Sequence, residues 1–475
     1  MIKESTQVLV IGGGPAGSTA AALLAREGIS VTLLEREHFP RYHIGESLLP
    51  SCLPILEMMG AREKVEALGF QRKRGAYYEW GTERWELLFA QLFGTEYSWQ
   101  VRRADFDHAL LEHARSQGVT VHEGVSVRRV DFDGDRAVSA AWEHTDKSAS
   151  GTIAFDYVLD ASGRAGLLAT KQHRSRRIHE VFKNVALWGY WKTDTRLPYG
   201  PEGAIGVFSI PHGWLWELPL DDGTIGVGAV ITKDHLRDEQ ARGLEPTQVY
   251  HDKIAENEVL TDLLKGAELV TDVKAETDYS YVTERWCGPG YMLIGDAACF
   301  LDPLLSTGVH LAMYSALLSA ASIAAMLRDG VDEPSALNFF ERAYRTSYDR
   351  LIVLVSAFYD NYRGRDEQFY IAQRLSRREK HHLNLHEAFL HIITGIEDLA
   401  DAKERAFDVA SSEFNDPSGK PTFPFAHHNV NTLQRPDSPE LALAGLYLVT
   451  EPRLTLLWGE PAAAEPVGAG GSAPA

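Results

Sequence analysis

The stretch Gln7-Val8-Leu9-Val10-Ile11-Gly12-Gly13-Gly14-Pro15-Ala16-Gly17 decides the fold. Its first five residues are a short continuous apolar run, the pattern of a strand buried on both faces. The glycines that follow match the dinucleotide-binding fingerprint, and each has its own task. Gly12 permits the tight turn, Gly14 lets the backbone approach a pyrophosphate, and Gly17 allows helix and strand to pack closely. Pro15 and Ala16 open a helix expected over 16–26, whose N-terminal N–H groups and dipole would face phosphates. Gly28 stands where a helix C-terminus takes a left-handed residue. A second apolar run, Ser30 to Leu34, completes a β-α-β unit. Glu35 at its end is placed to accept hydrogen bonds from ribose hydroxyls. A glycine turn alone is a weak signal; strand, fingerprint, helix and acidic residue in this order are a specific one.

Further along, Val119 to Trp142 alternates like a strand pair and contains the hairpin signal Asp133-Gly134. Thr152 to Leu159 reads as a strand leading into Asp160-Ala161-Ser162-Gly163. Lys183 to Tyr281 is mainly strands, with a helical patch near His251 to Leu264, and Asp222-Gly223 joins two alternating runs as in an antiparallel sheet. Tyr291 to Ile294 is a last buried strand, ending at Gly295-Asp296. A strand that ends this way can offer the Asp296 carboxylate to the ribityl hydroxyl of a flavin. Asp302-Pro303 and Ser306-Thr307-Gly308 then lead into an apolar helix. Its first N–H groups would stabilise negative charge on a flavin pyrimidine ring, or a bound anion. A capped core helix behind a turn is the plainer reading of that segment alone.

Nucleotide signals at both ends of the strand-rich region imply interleaved units. The expected fold class is α/β, with an FAD-binding Rossmann-like domain over residues 1–75, 100–180 and 284–330. An antiparallel-sheet substrate domain over 76–99 and 181–283 is interleaved with it. A helical C-terminal region over 331–460 follows, and the Ala, Gly and Pro-rich residues 461–475 read as a disordered tail.

A formal net charge of −19 argues against nucleic acid or an anionic membrane as partner. The three cysteines, Cys52, Cys287 and Cys299, have no metal-ligand spacing and form no disulfide framework, so a reducing compartment, the cytoplasm, is expected. The apolar segment Leu311 to Leu327 is interrupted by Tyr314 and serines and reads as a buried helix, not a membrane span. No signal peptide is expected ahead of the first strand.

On the two nucleotide motifs the chain resembles the p-hydroxybenzoate-hydroxylase-type FAD superfamily. Within it, the chain resembles the flavin-dependent halogenases of phenol and pyrrole type, from the first strand to about Arg342. Three stretches carry the second resemblance. Gly213-Trp214-Leu215-Trp216-Glu217-Leu218-Pro219 is similar to the halogenase Trp-x-Trp-x-Ile-Pro signature, with Leu218 in place of Ile. On a strand both indoles project to one face and could wall off the flavin from the substrate. Core packing is the plainer reading of such a pair. Gly69-Phe70-Gln71-Arg72-Lys73-Arg74-Gly75 is similar to the setting of the halogenase catalytic lysine, and alternation puts Lys73 on the face opposite Arg72 and Arg74. Phe39-Pro40-Arg41-Tyr42-His43-Ile44-Gly45-Glu46-Ser47-Leu48-Leu49-Pro50 is similar to the loop that covers the flavin. His43 and Glu46 there could be acid–base groups or could orient the loop.

The resemblance implies Lys73 and Glu46 as catalytic residues. It implies FAD contacts from Gly12, Gly14, Pro15, Ala16, Gly17, Glu35 and Arg36, from Arg41, Ile44, Gly45 and Ser47, and from Arg103, Asp296, Pro303, Gly308 and Val309. It also implies a separate NAD(P)H-dependent flavin reductase that supplies FADH2, and a role in secondary metabolism such as antibiotic biosynthesis. Oxygen would give a flavin C4a-hydroperoxide, and chloride or bromide held by the N–H groups of Thr307 and Gly308 would attack it. The hypohalous acid would then pass the wall of Trp214 and Trp216 to Lys73, as a chloramine on a neutral amine or as an acid hydrogen-bonded to an ammonium.

Tryptophan halogenases carry a Glu just before Ser-Thr-Gly; here that residue is Leu305. Phenols and pyrroles, which activate their own rings, are therefore expected over tryptophan, free or on an acyl or peptidyl carrier. The basic clusters Lys171 to Arg177 and Arg374 to Lys380 could dock an acidic carrier or could be solvated charge. The aromatics of Phe358 to Tyr362 and Phe369-Tyr370 are expected to close the substrate pocket. The competing readings are a single-component aromatic hydroxylase and a non-catalytic flavoprotein. Asp160-Ala161-Ser162-Gly163-Arg164 departs from the Asp-Gly motif of the former, and Lys73 is superfluous to the latter.

Overall fold

The computed structural model describes residues 2–81, 83–91, 96–360 and 436–459. Its N-terminal unit is β1 (Ser5–Ile11), α1 (Pro15–Arg26) and β2 (Val31–Leu34). The unbroken apolar runs are explained by position: β1 lies between two parallel neighbours and all four residues of β2 are buried. The small side chains of Ala20, Ala21 and Ala22 are fully buried, letting α1 sit close to its neighbours. Gly28, just beyond its C-cap, has φ +77°.

Then come α2 (Cys52–Met59), α3 (Arg62–Glu66), β3 (Gln71–Lys73), β4 (Gly75–Trp80), β5 (Glu83–Leu88) and β6 (Ser98–Gln100). After α4 (Arg103–Ser116) and β7 (Thr120–His122), the expected hairpin is β8 (Val125–Asp133) and β9 (Arg136–His144), followed by β10 (Ser150–Asp160). The long antiparallel stretch is β11 (Arg176–Lys192), β12 (Ile205–Ile210), β13 (Gly213–Pro219) and β14 (Thr224–Thr232). Three helices follow, α5 (Lys233–Ala241), α6 (Pro246–Ala255) and α7 (Glu258–Leu263), then β15 (Glu268–Leu269) and β16 (Lys274–Thr283). The rest is β17 (Cys287–Gly288), β18 (Tyr291–Leu293), β19 (Cys299–Phe300), α8 (Gly308–Ala324), α9 (Glu333–Asp360), β20 (Leu446–Val449) and β21 (Thr455–Trp458).

Two sheets organise these strands. The first runs β17-β18-β10-β1-β2-β7, parallel across its centre, with the β8/β9 hairpin joined through β10. The second runs β19-β16-β11-β14-β13-β12-β4-β5, antiparallel except where β12 meets β4. One apolar core lies beneath the first sheet and α8; a second, smaller one lies between the second sheet and α5–α7. α8 is buried along almost its whole length, as the serine-broken apolar segment predicts. It is the single helix among the described residues long and apolar enough to span a membrane, and it lies inside the fold.

The structure differs from the sequence reading at three places. The helical patch begins at Lys233, not near His251, because α5 buries only Leu236 and carries no apolar periodicity. Its start is made by Thr232, whose hydroxyl accepts from the N–H of His235. Residues 446–458 form a hairpin inside the region expected to be helical. Leu446 and Leu448 point inward and are buried, an alternation of only four residues that a helical window swallows. Finally, β19 pairs with β16, β11 already begins at Arg176 and β4 at Gly75, so residues 75, 176–180 and 299–300, read as part of the nucleotide-binding unit, belong to the second sheet. Phe369, Tyr370, the Arg374 to Lys380 cluster and the tail from 461 lie outside the described residues.

Candidate active site

Between the two sheets opens a cavity of about 560 Å³. One side is the fingerprint turn. Gly12 has φ +107°, and a Cβ there would stand 2.3 Å from the Ala161 carbonyl oxygen. A Cβ on Gly17 would stand 1.9 Å from the carbonyl oxygen of Gly12. Above Gly14 such a carbon would meet the Arg41 guanidinium, at an ordinary contact distance of 3.5 Å. The turn is closed toward the sheet and open toward the cavity, which is the shape a pyrophosphate needs, so the residues fit FAD. Gly17→Ala forces helix and strand apart and is expected to abolish flavin retention. Absorbance of the purified variant near 450 nm checks this, and a full flavin complement would sink it.

Glu35, at the end of β2, lines the cavity; its Oε2 accepts from the N–H of Gly13 at 2.6 Å and its Oε1 from that of Glu37 at 2.8 Å. The carboxylate therefore steadies the glycine turn from the cavity wall. Arg36 is exposed at the rim and pairs with Glu37. Asp296 faces the cavity beside Pro303, and burial raises its pKa to about 6. Opposite the fingerprint, α8 begins at Gly308 with no side-chain cap on its first turn. Gly308 and Val309 line the wall; Thr307 stands behind it, its Oγ1 buried without a hydrogen-bond partner among the described residues. A helix start left open beside an orphaned hydroxyl fits a small anion.

The loop from Arg41 to Ser47 covers the third side. It is held by Arg103, which is buried at the start of α4 rather than solvated. Arg103 makes a two-pronged bond to Asp107, Nε–Oδ1 2.7 Å and Nη2–Oδ2 2.9 Å. Its Nη1 donates to the carbonyl oxygens of Ile44 at 2.8 Å and Gly45 at 3.2 Å. Arg41 joins the same carboxylate from the loop, at 3.2 Å. The imidazole of His43 is kept neutral by burial and by Arg103, which push its pKa down to about 4. Asp107 was missed from sequence, although Arg103 and Asp107 show the i,i+4 helix spacing that pairs charges.

Trp214 and Trp216 project from β13 to one face, as alternation requires, and both are buried on the cavity wall with ring centroids 5.9 Å apart. Glu217, next after Trp216, points the other way and is also buried. Burial lifts its carboxyl to about 8.

Lys73 ends β3, buried while its neighbour Arg72 is exposed. It is not itself on the cavity wall: its Nζ donates to Ser47 Oγ at 2.7 Å, and Ser47 lines the cavity. A second bond goes to the Leu48 carbonyl at 3.2 Å, and the Phe89 ring lies 5.5 Å away. No carboxylate pairs with the amine among the described residues, and burial lowers its pKa to about 7. Of the basic cluster Lys171 to Arg177, Arg176 lies over the Tyr281 ring and Arg177 pairs with Glu284. Both serve the fold's own contacts.

Fingerprint, open helix start and covering loop around one cavity define an FAD-dependent oxidoreductase. The chain belongs to the tryptophan halogenase family, whose model matches residues 7–95 and 89–413. It is 47% identical over 409 residues to a tryptophan 2-halogenase of Chondromyces crocatus, covering 85% of this chain and 78% of that one. It is 37% identical over 382 residues to the sulochrin halogenase of Aspergillus terreus, covering 75% and 70%. The structure is similar to that of a myxobacterial chondrochloren halogenase, a variant of the FAD-dependent halogenases, with TM-score 0.73 and 34% identity over 85% of this chain and 93% of that one. The protein is thus a flavin-dependent halogenase that uses FAD and a halide, and the hydroxylase and non-catalytic readings fall away.

Proposed function

We propose that the enzyme makes hypohalous acid in the cavity and passes it through Lys73 to an electron-rich phenol or pyrrole. The observation that carries this is a buried lysine without an ion-pair partner among the described residues, one hydrogen bond behind the cavity wall. When bound, reduced FAD supplies the two electrons that, with oxygen, convert halide to hypohalous acid. The N–H groups at Thr307 and Gly308 hold the halide against the cavity. Trp214 and Trp216 keep an organic substrate from the site of oxidation, so the oxidant has to travel. Ser47, which faces the cavity and bonds Lys73, marks its way out. Arg103 and Asp107 fix the backbone of Ile44 and Gly45, and with it the position of Ser47.

Leu305, buried and apolar, supports a self-activating ring because it offers no carboxylate beside the lysine. The relative named a tryptophan 2-halogenase favours a second reading, in which an indole is the substrate. A separate NAD(P)H-dependent flavin reductase supplies the reduced flavin, and the substrate is free or carrier-bound. The three free cysteines support a cytoplasmic enzyme. Sheet membership supports the division into an FAD-binding unit and a substrate-side unit, apart from β19 and the first residues of β4 and β11.

Mass spectrometry of products decides the substrate class. Purified protein is supplied with FAD, a flavin reductase, NADH, chloride or bromide, and small phenols, pyrroles and tryptophan. Halogen isotope patterns on phenols or pyrroles at least about ten times more abundant than on tryptophan are expected, since pocket contacts of this kind discriminate by one to two orders of magnitude. Preferential halogenation of tryptophan would transfer the assignment to the indole.

A further inference from the structure

Oxidising a halide consumes a proton: FADH2 + O2 + X⁻ + H⁺ gives FAD + HOX + H2O. Two electrons leave the flavin and two leave the halide, four enter oxygen, and one proton beyond those of the flavin is taken up. That proton has to reach the cavity in every turnover.

Glu46 is buried on the cavity wall, and its Oε1 accepts from the hydroxyl of Tyr190 at 2.7 Å. Tyr190 has one O–H, already given to Glu46, so its 3.0 Å bond with the Tyr42 hydroxyl runs with Tyr42 as donor. The indole N–H of Trp188, which cannot accept, donates to the Tyr42 oxygen at 2.7 Å and so holds the Tyr42 hydrogen toward Tyr190. Tyr42 is 50% exposed. Three side chains from two distant stretches of chain thus link solvent to the cavity, every O–H pointing inward.

We propose that Tyr42, Tyr190 and Glu46 form the proton-entry path for halide oxidation. The proposal rests on the halogenase reading and adds a route to it. Glu46 gives its proton to the cavity and is reprotonated by hops through the two hydroxyls, Tyr42 taking the replacement from water. Its Oε2 finds no hydrogen-bond partner among the described residues, which leaves one oxygen to deliver. Burial raises its pKa to about 7, against the lowering by the Tyr190 hydrogen bond and Arg103, with Asp222 of the β13–β14 turn adding a smaller upward push. Near neutrality it can both hold and release a proton. Around Tyr42 stand Lys274, 4.6 Å over the ring, and Glu276 from β16. Burial keeps both phenols protonated, so they pass protons without ionising. His43, neutral and engaged with the Ile44 carbonyl, is not a rival donor.

The test uses the full-length protein with FAD kept reduced by a flavin reductase and NADH, mixed with oxygen and bromide, with a β-diketone trapping the oxidised halogen. In Tyr190→Phe the first turnover at pH 6 proceeds, because Glu46 starts protonated. Later turnovers slow by about ten-fold or more. A small diffusible acid such as imidazolium restores them. Tyr42→Phe, a half-exposed position with little effect on folding, shows a smaller loss with the same rescue. Unchanged later turnovers in both variants overturn the path. Loss of the first turnover in both, with flavin still bound, also overturns it, because the tyrosines are then structural. A wild-type protein that oxidises no halide would instead fail the halogenase reading itself.

Discussion

Lys73→Ala is expected to lower halogenated product by roughly a hundred-fold or more, while oxygen consumption by the reduced enzyme continues near its original rate. The reason is spatial. Lys73 stands behind Ser47 and does not line the flavin cavity, so the steps that use oxygen and halide do not need it. Parallel oxygen-electrode and mass-spectrometric assays check this, and loss of both activities together would reject the relay. The same residue makes a pH prediction with two arms. Burial moves its pKa from 10.5 down to about 7, so the amine is charged below neutrality and neutral above it. If the carrier is a chloramine, transfer rises as pH increases through 7. If the carrier is an acid hydrogen-bonded to an ammonium, transfer falls over the same interval. Single-turnover transfer of preformed hypohalous acid, measured against pH, separates the two.

The second large effect is on stability. Asp107 is fully buried and is the shared partner of Arg103 and Arg41. Removing it in Asp107→Ala leaves the buried Arg103 guanidinium without a counter-charge, an error that costs about 3–5 kcal/mol. The loss should appear as a lower denaturation midpoint and as weaker flavin retention, since Arg103 also ties down Ile44 and Gly45. A stability change below about 1 kcal/mol, the range of an exposed pair, would show that solvent screens this triad. Arg103→Lys should fall between, because an ammonium cannot make the two-pronged bond while also reaching two carbonyls.

Legibility varied from residue to residue for physical reasons. Lys73 could be put on the right face because a strand alternates with period two, and β3 keeps that alternation even at three residues. The same rule placed both tryptophans on one wall. The α5 helix escaped because a surface helix that buries a single leucine leaves no stripe to detect. The hairpin at 446–458 escaped because its buried positions are too few to outweigh a helical neighbourhood. Glu46 was visible as a carboxylate on the covering loop, but its burial, and whether it acts on protons or orients the loop, was not. That choice depends on Tyr190, 144 residues away.

By itself, then, the sequence determined the dinucleotide turn, the buried strands on either side of it and the face of β3 on which Lys73 lies. Each of these depends on neighbours within a few residues, where backbone geometry and side-chain period act directly. The tertiary structure alone decided that Ser47 separates Lys73 from the cavity. It alone decided that Asp107 gathers two arginines and that Tyr42, Tyr190 and Glu46 fall into one hydrogen-bonded line. Those arrangements need strands from different sheets and a covering loop brought within 3 Å of one another, and packing, which no local pattern encodes, sets such distances.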